Sequence, residues 1–188
     1  DVGDYAIALG TLTNTNYSLT LAPENFSITH LAVTVTPDVQ AKAYGTADPT
    51  LTYSLSATSS ATLTTTGSLT RAAGEDVGDY VIALGTLTNT NYTLTLSPEN
   101  FSITPLAVTV TPDALTKIYG TDDPTFTYSL SATSSVTLIA TGSLTRAVGD
   151  DVGDYAIALG TLTNTNYTLS LAPENFRITP LAVTVTPD

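Results

Sequence analysis

The chain repeats itself every 75 residues. Asp76 to Leu87 reads D-V-G-D-Y-V-I-A-L-G-T-L, and the same stretch stands at Asp1 to Leu12 and at Asp151 to Leu162, with Ala6 and Ala156 in place of Val81. A fixed period without insertions means tandem copies of one folding unit. Residues 1–38 match 76–113 at 34 of 38 positions, the exceptions being Ala6/Val81, Ser18/Thr93, Ala22/Ser97 and His30/Pro105. Residues 39–75 and 114–150 differ at 11 of 37 positions, so this half of the unit is the looser one. The 188 residues amount to two and a half units, and a longer array is expected on both sides.

The unit is made of strands. Thr, Ser, Val, Ile and Tyr dominate, Pro and Gly recur about every ten residues, and apolar residues alternate with a period of two, which fits strands and not helices. Val108 and Val110 alternate with Thr109 and Thr111, and Phe126, Tyr128 and Leu130 with Thr127 and Ser129. One face of each strand is apolar and the other rich in hydroxyls, as in half-buried antiparallel strands of two packed sheets. No helix longer than one turn is expected. In the first full repeat the strands are expected at 31–44 with a kink at Pro37, then 50–57, 61–71, 79–88 and 91–104. The first and last are each broken in two, giving about seven short strands.

Ile-Thr-Pro at 103–105 and 178–180, with Ile-Thr-His at 28–30, lies between two extended runs, and a proline there stiffens the join. Domains are therefore expected to begin at Leu31 and Leu106. The sequence predicts an all-β chain of tandem small immunoglobulin-like β-sandwich domains. Residues 1–30 would be the C-terminal half of a preceding repeat, 31–105 and 106–180 two β-sandwich repeats, and 181–188 the first strand of a following repeat. The expected core of the first repeat includes Val33, Val35, Tyr53, Leu55, Tyr80, Ile82, Leu84, Leu94, Leu96, Phe101 and Ile103. Residues 1–30 carry eight apolar side chains on strand faces, among them Tyr5, Tyr17 and Phe26, and leaving them in water costs on the order of 10 kcal/mol. That segment is expected to pack on strands equivalent to 31–75, supplied by a preceding repeat or another chain.

Composition narrows the partners. The chain has no cysteine, so disulfides contribute nothing, and 17 acids against 5 Lys and Arg give a net charge of −12. Nucleic acid and anionic membranes are disfavoured; cations, neighbouring repeats and other copies in a fibre are the natural partners. No membrane span and no signal peptide is legible in this segment.

Five motifs recur in fixed order: Tyr-Gly-Thr-x-Asp-Pro at 44–49 and 119–124, Thr-Gly-Ser-Leu-Thr-Arg at 66–71 and 141–146, Gly-Glu-Asp-Val-Gly-Asp-Tyr at 74–80, Asn-Tyr-x-Leu, and a closing Phe-x-Ile-Thr-Pro. In these motifs the whole chain resembles the MBG-type repeats of large bacterial surface and adhesin-like proteins. The resemblance implies an all-β module strung in long secreted polypeptides, at the cell surface or outside the cell, with no catalytic residue to carry over. His30 departs from the closing proline.

The acids are the candidate site. If successive strands reverse direction, the loops 46–49 and 74–79 fall at one end of the domain, so Asp48, Glu75, Asp76 and Asp79 converge, and in the second repeat Asp122, Asp123, Asp150, Asp151 and Asp154. Clustered oxygen ligands of this kind suit calcium. The same end would face the Ser-Ala-Thr-Ser-Ser and Thr-Asn-Thr-Asn loops of the next repeat, where a cation would lock the two together. The alternative is that Asp79 bonds backbone in a tight turn and the other acids are solvated. Tyr44-Gly45 and Tyr119-Gly120 are expected to end a strand with a ring over the core and a turn glycine. Arg71 and Arg146 are expected to pair with nearby acids. Asn16, Asn91 and Asn166 begin N-Y-S/T triplets, and Asn25 and Asn100 begin N-F-S, but such triplets arise by chance in a Thr-rich chain.

Catalysis finds little support: there is one histidine, His30, and it is not repeated. A Lys-Asn isopeptide bond involving Lys42 or Lys117 is the remaining chemical option. The sequence is read as a spacer or stalk segment of a large secreted or cell-surface protein. Alternatives are a fibre subunit completed by strand pairing between repeats or chains, and a module binding a cation or glycan; for a glycan the Tyr and Phe side chains lie mostly on the wrong faces.

Overall fold

A computed structural model describes residues 1–134 and 136–187. Ser135, the last residue of the Ser-Ala-Thr-Ser-Ser loop of the second repeat, and Asp188, the last of the expected strand 181–188, lie outside the described residues. Every regular element among the described residues is a strand. The half repeat supplies β1 (Gly3–Ala6) and β2 (Asn25–Ile28). The first full repeat supplies β3 (Leu31–Pro37), β4 (Gln40–Ala43), β5 (Tyr53–Ser56), β6 (Thr70–Arg71), β7 (Gly78–Ala83), β8 (Tyr92–Leu96) and β9 (Asn100–Thr104). The second repeats the series as β10 (Leu106–Pro112), β11 (Thr116–Ile118), β12 (Tyr128–Ser131), β13 (Thr145–Arg146), β14 (Gly153–Ala158), β15 (Tyr167–Leu171) and β16 (Asn175–Thr179).

Each repeat makes two sheets. Their orders are β5-β3-β8 and β4-β9-β7-β6, then β12-β10-β15 and β11-β16-β14-β13. Alternation places the side chains: in β3, Val33 and Val35 are fully buried while Ala32, Thr34 and Thr36 face outward. Pro37 ends the run, because the chain turns off the first sheet there and β4 joins the second. The core of the second repeat shows the two sheets closing on each other. Val110 packs with Ile157, Phe176 and Ile178 in one cluster, and Phe126 meets Phe176 edge to face at 5.3 Å between ring centroids. In the first repeat Val33, Val35, Ile82, Phe101 and Ile103 are buried, and Tyr53, Leu55, Tyr80, Leu84, Leu94 and Leu96 partly so. Leu69 and Leu87 are also buried core residues. Neither stands in a strand whose alternation would have revealed it.

Two expectations are corrected. Antiparallel neighbours were predicted, yet β3 runs parallel to β8, with Leu31 opposite Tyr92 and Val35 opposite Leu96, and β10 runs parallel to β15 in the same register. Alternation reports that one face is buried and says nothing of the direction of the neighbour. A strand was also predicted over 61–71. Only Thr70 and Arg71 form one, with a single bridge from Thr66 to Thr88 before it. Gly67 interrupts the ladder at φ +91°.

The chain divides into two compact units that do not coincide with the repeats. One holds Asp1–Gln40, Thr50–Ala73 and Tyr80–Phe101; the other holds Ala41–Pro49, Gly74–Asp79 and everything from Ser102 on. The second unit thus includes two loops numbered in the first repeat.

In the half repeat β1 pairs with β2 in the register of β14 with β16: Tyr5 lies opposite Phe26 as Tyr155 lies opposite Phe176. Phe26 is 61% exposed, whereas Phe101 and Phe176 are fully buried. The faces expected to be covered are open, because no described residue of the chain supplies the strands that cover their equivalents.

Candidate functional site

Each repeat gathers its charges around a lysine on the strand that follows the proline. β4 turns Lys42 inward at the end of the sheet, and its ammonium is buried between Asp48, at 2.6 Å from Nζ to Oδ1, and Glu75. The second repeat rebuilds this at Lys117, 2.6 Å from Asp123 and 3.5 Å from Asp150. There Arg146 adds a second cation. Its Nε donates to Asp123 Oδ2 at 2.6 Å and its Nη2 to Asp150 Oδ1 at 3.0 Å. The guanidinium lies over the rings of Tyr155 and Phe176, with centroids at 5.0 and 5.4 Å, as Arg71 lies over Tyr80 and Phe101. These stacks seal the core beneath the charges.

The electrostatics follow from the contacts. Burial pushes Lys42 down, but the hydrogen bonds and charges of Asp48 and Glu75 outweigh it and leave the ammonium above its ordinary value. Lys117 is raised chiefly by its hydrogen bond to Asp123, and Asp123 is lowered to about 2 by Arg146 first and Lys117 second. Both repeats therefore hold a fixed ion pair. Amide formation at a lysine requires the neutral amine, and this setting favours the ammonium.

The acids grouped by the sequence are divided among different partners. Asp48 and Glu75 hold Lys42. Asp79 accepts a hydrogen bond from the Ser102 hydroxyl. Asp76 accepts one from Asn166 Nδ2 at 2.9 Å. In the second repeat Asp123 and Asp150 hold Lys117 and Arg146. Asp151 offers its backbone carbonyl to the Tyr155 hydroxyl at 2.7 Å, and Asp154 lies 3.8 Å from Arg177 Nε. Asp122 lines an open cleft of about 510 Å³ with Lys117, Tyr119 and Asp123. Among the described residues no group of three or more His, Asp or Glu side chains is placed to hold a metal ion. The sequence reading named Lys42 and Lys117 only for an isopeptide bond and missed their enclosure by acids, because a short alternating strand leaves the facing of a lone Lys open.

A second constellation lies inside each compact unit. In the second unit Asn166 closes a two-point clamp: its Oδ1 accepts the Val77 N–H at 2.8 Å and its Nδ2 donates to Asp76 Oδ1. In the first unit Asn91 makes the same clamp on Val2 N–H, at 2.9 Å, and on Asp1 Oδ1, at 3.0 Å. Both asparagines are pre-set by a local turn, in which their own N–H donates to the side chain of Asn89 or Asn164 at 2.8 Å. Beside the Asn166 clamp, the ring of Tyr44 meets Tyr167 edge to face at 5.9 Å. A methyl group on Gly45 would stand 2.7 Å from Ser134 Oγ and 2.9 Å from Val136 Cγ2. The Thr-Asn-Thr-Asn loop does meet the Asp76 loop, through an amide.

Two-sheet β repeats joined by a recurring clamp define a tandem-repeat module, a protein class in which each unit is built to adjoin another. The chain belongs to the MBG domain (YGX type) family, which matches it twice, over residues 33–102 and 108–177. Tyr44-Gly45 and Tyr119-Gly120 are the Tyr-Gly pairs in these two matches. Neither a curated protein nor a solved structure matches the chain. No helix among the described residues is long and apolar enough to cross a membrane.

Proposed function

We propose that this chain is a spacer or stalk segment of a large secreted or cell-surface bacterial protein, in which MBG repeats set distance and the Asn clamps fix one repeat against the next. What supports the reading is the clamp itself. Asn91 and Asn166, 75 residues apart, make the same pair of bonds to Asp-Val pairs that are also 75 residues apart. A linker whose only task was to connect would not reproduce two side-chain bonds in register. The acidic balance suits the role, since a net charge of −12 keeps near-identical repeats soluble and apart. Small-angle scattering on chains of increasing repeat number tests it. Maximum dimension should grow by a constant increment per repeat, and replacing every clamp Asn by Ala should shrink and broaden that increment. Dimensions that grow as those of freely jointed domains in the unsubstituted chains would overturn the reading.

A further inference from the structure

Two loops of the first repeat reach the second, and they come from separate parts of the chain. One, 41–49, brings Tyr44 against Tyr167 and places Gly45, at φ +76°, where an added methyl group would collide with Ser134 and Val136. The other, 74–79, brings Asp76 and Val77 to Asn166. Both loops lie in the second compact unit, with the repeat they touch.

Lys42 stands where these loops meet. Its carbonyl accepts a hydrogen bond from the Thr104 hydroxyl at 3.1 Å, and the Tyr44 N–H donates to the Thr104 carbonyl at 2.9 Å, so the backbone from Lys42 to Tyr44 is fixed on the end of β9. From that anchored position the side chain, 4% exposed, carries its ammonium to Asp48 of its own loop and to Glu75 of the other. An ammonium has three donors and serves both carboxylates at once. Glu75 directly precedes Asp76 and stands two residues before Val77, so holding its carboxylate sets the path of the backbone that Asn166 grips. A buried ammonium is costly, and an apolar side chain would fill the same space without that cost. The charge at this position is explained by what it holds. The Glu75 side chain is 68% exposed, and an ion pair so close to water adds little to global stability. An interaction too weak to hold a fold still shifts the population of a loop conformer severalfold.

We propose that Lys42 is the positioning residue of the joint: its ammonium ties the loop that carries Tyr44 and Gly45 to the loop that carries Asp76 and Val77, so that the two contacts with the second repeat form and open together. The proposal rests on the joint that the spacer reading assumes, and its test separates the two.

The test is hydrogen exchange at the Val77 amide in the 188-residue chain. Lys42→Met keeps the length of the side chain and removes its charge. It should speed exchange at Val77 by about three- to fivefold, the most that an ion pair with an exposed carboxylate supplies, and leave the amides of β3 and β8 unchanged. Glu75→Ala, at an exposed position that the fold does not need, should speed Val77 by the same factor. Lys117→Met makes the same chemical change at the equivalent place in the second repeat and should leave Val77 alone. Coupling is read by a double-mutant cycle. Tyr44→Ala should speed Val77 exchange in the natural chain and add nothing in Lys42→Met. Natural exchange at Val77 in both Lys42→Met and Glu75→Ala would overturn the proposal, as would an equal loss of protection across β3 and β8, a matching effect of Lys117→Met, or a Tyr44→Ala effect that is the same in both backgrounds. If Asn166→Ala accelerates Val77 while Lys42→Met does not, the joint stands and only the role of Lys42 falls; if neither does, both fall.

Discussion

At the scale of single residues, one phenylalanine position occurs three times, in two settings. Phe101 and Phe176 are fully buried, and Phe26 is open to solvent in the same strand register. Replacing Phe101 or Phe176 with Ala should cost about 3–5 kcal/mol in urea unfolding, and Phe26→Ala in dilute solution within about 0.5 kcal/mol of nothing. The charges give a second expectation. Asp123 has a folded-state value of about 2 against an ordinary 3.8, so between those values the unfolded chain binds the extra proton. The stability this carboxylate contributes is complete above pH 3.8 and is lost as pH falls through 2. Asp123 is a third exposed, so the contribution is modest. Melting temperatures from pH 5 to about 2 should therefore fall less steeply for Asp123→Asn than for the natural chain. A third expectation concerns calcium. The ammonium of Lys42 already stands between Asp48 and Glu75, so melting should be the same in calcium and in chelator. A rise with calcium would instead support a cation held by these loops. The sequence grouped the acids of each repeat as one set, whereas in the first repeat Asp48 and Glu75 meet on Lys42 while Asp76 and Asp79 go to Asn166 and Ser102. It did not show that each cluster encloses its own lysine, since inward and outward differ by one residue in a short strand.

Among the elements, strands were legible wherever alternation was long and poorly so where a glycine does the shaping. Leu106 to Pro112 declares its buried face in its sequence, and the structure buries every second residue of it. The stretch from 136 to 146 carries similar residues, yet only Thr145 and Arg146 pair as a strand. Gly142 explains the difference. At φ +100° it lets the chain pass so close to the neighbouring turn that a methyl group there would stand 2.2 Å from the Thr161 carbonyl oxygen. Gly120, at φ +84°, has open space around its Cβ position. Gly142→Ala should therefore cost about 2 kcal/mol or more, combining backbone strain with a collision that rigid backbone cannot relieve, and Gly120→Ala only about 1 kcal/mol of strain. Chemical denaturation of the two variants decides it, and equal losses would mean that the close approach is not what Gly142 serves. Parallel pairing was the other element hidden from the sequence, for the facing of side chains is the same whichever way the neighbouring strand runs.

For the whole molecule, the period announced the array, and the clamp supplies the term by which one repeat can influence the next. Each Asn grips a backbone N–H and a carboxylate, so its loss removes one neutral and one charge-assisted hydrogen bond, together worth about 1–2 kcal/mol of local stability. The Val77 N–H is the reporter, because Asn166 Oδ1 is its acceptor at 2.8 Å. Asn166→Ala should accelerate hydrogen exchange at Val77 by about tenfold, 1.4 kcal/mol being one decade, and leave Val2 unchanged. Asn91→Ala should do the reverse, exposing Val2 and sparing Val77. Val152 calibrates the measurement from inside the same chain. It occupies the third position of the series, is half-exposed, and should exchange fast in the 188-residue chain. A general loss of protection in Asn166→Ala, spreading to the buried strands β10 and β16, would mean that Asn166 holds its own repeat together; a change confined to residues 76–79 means that it holds a joint.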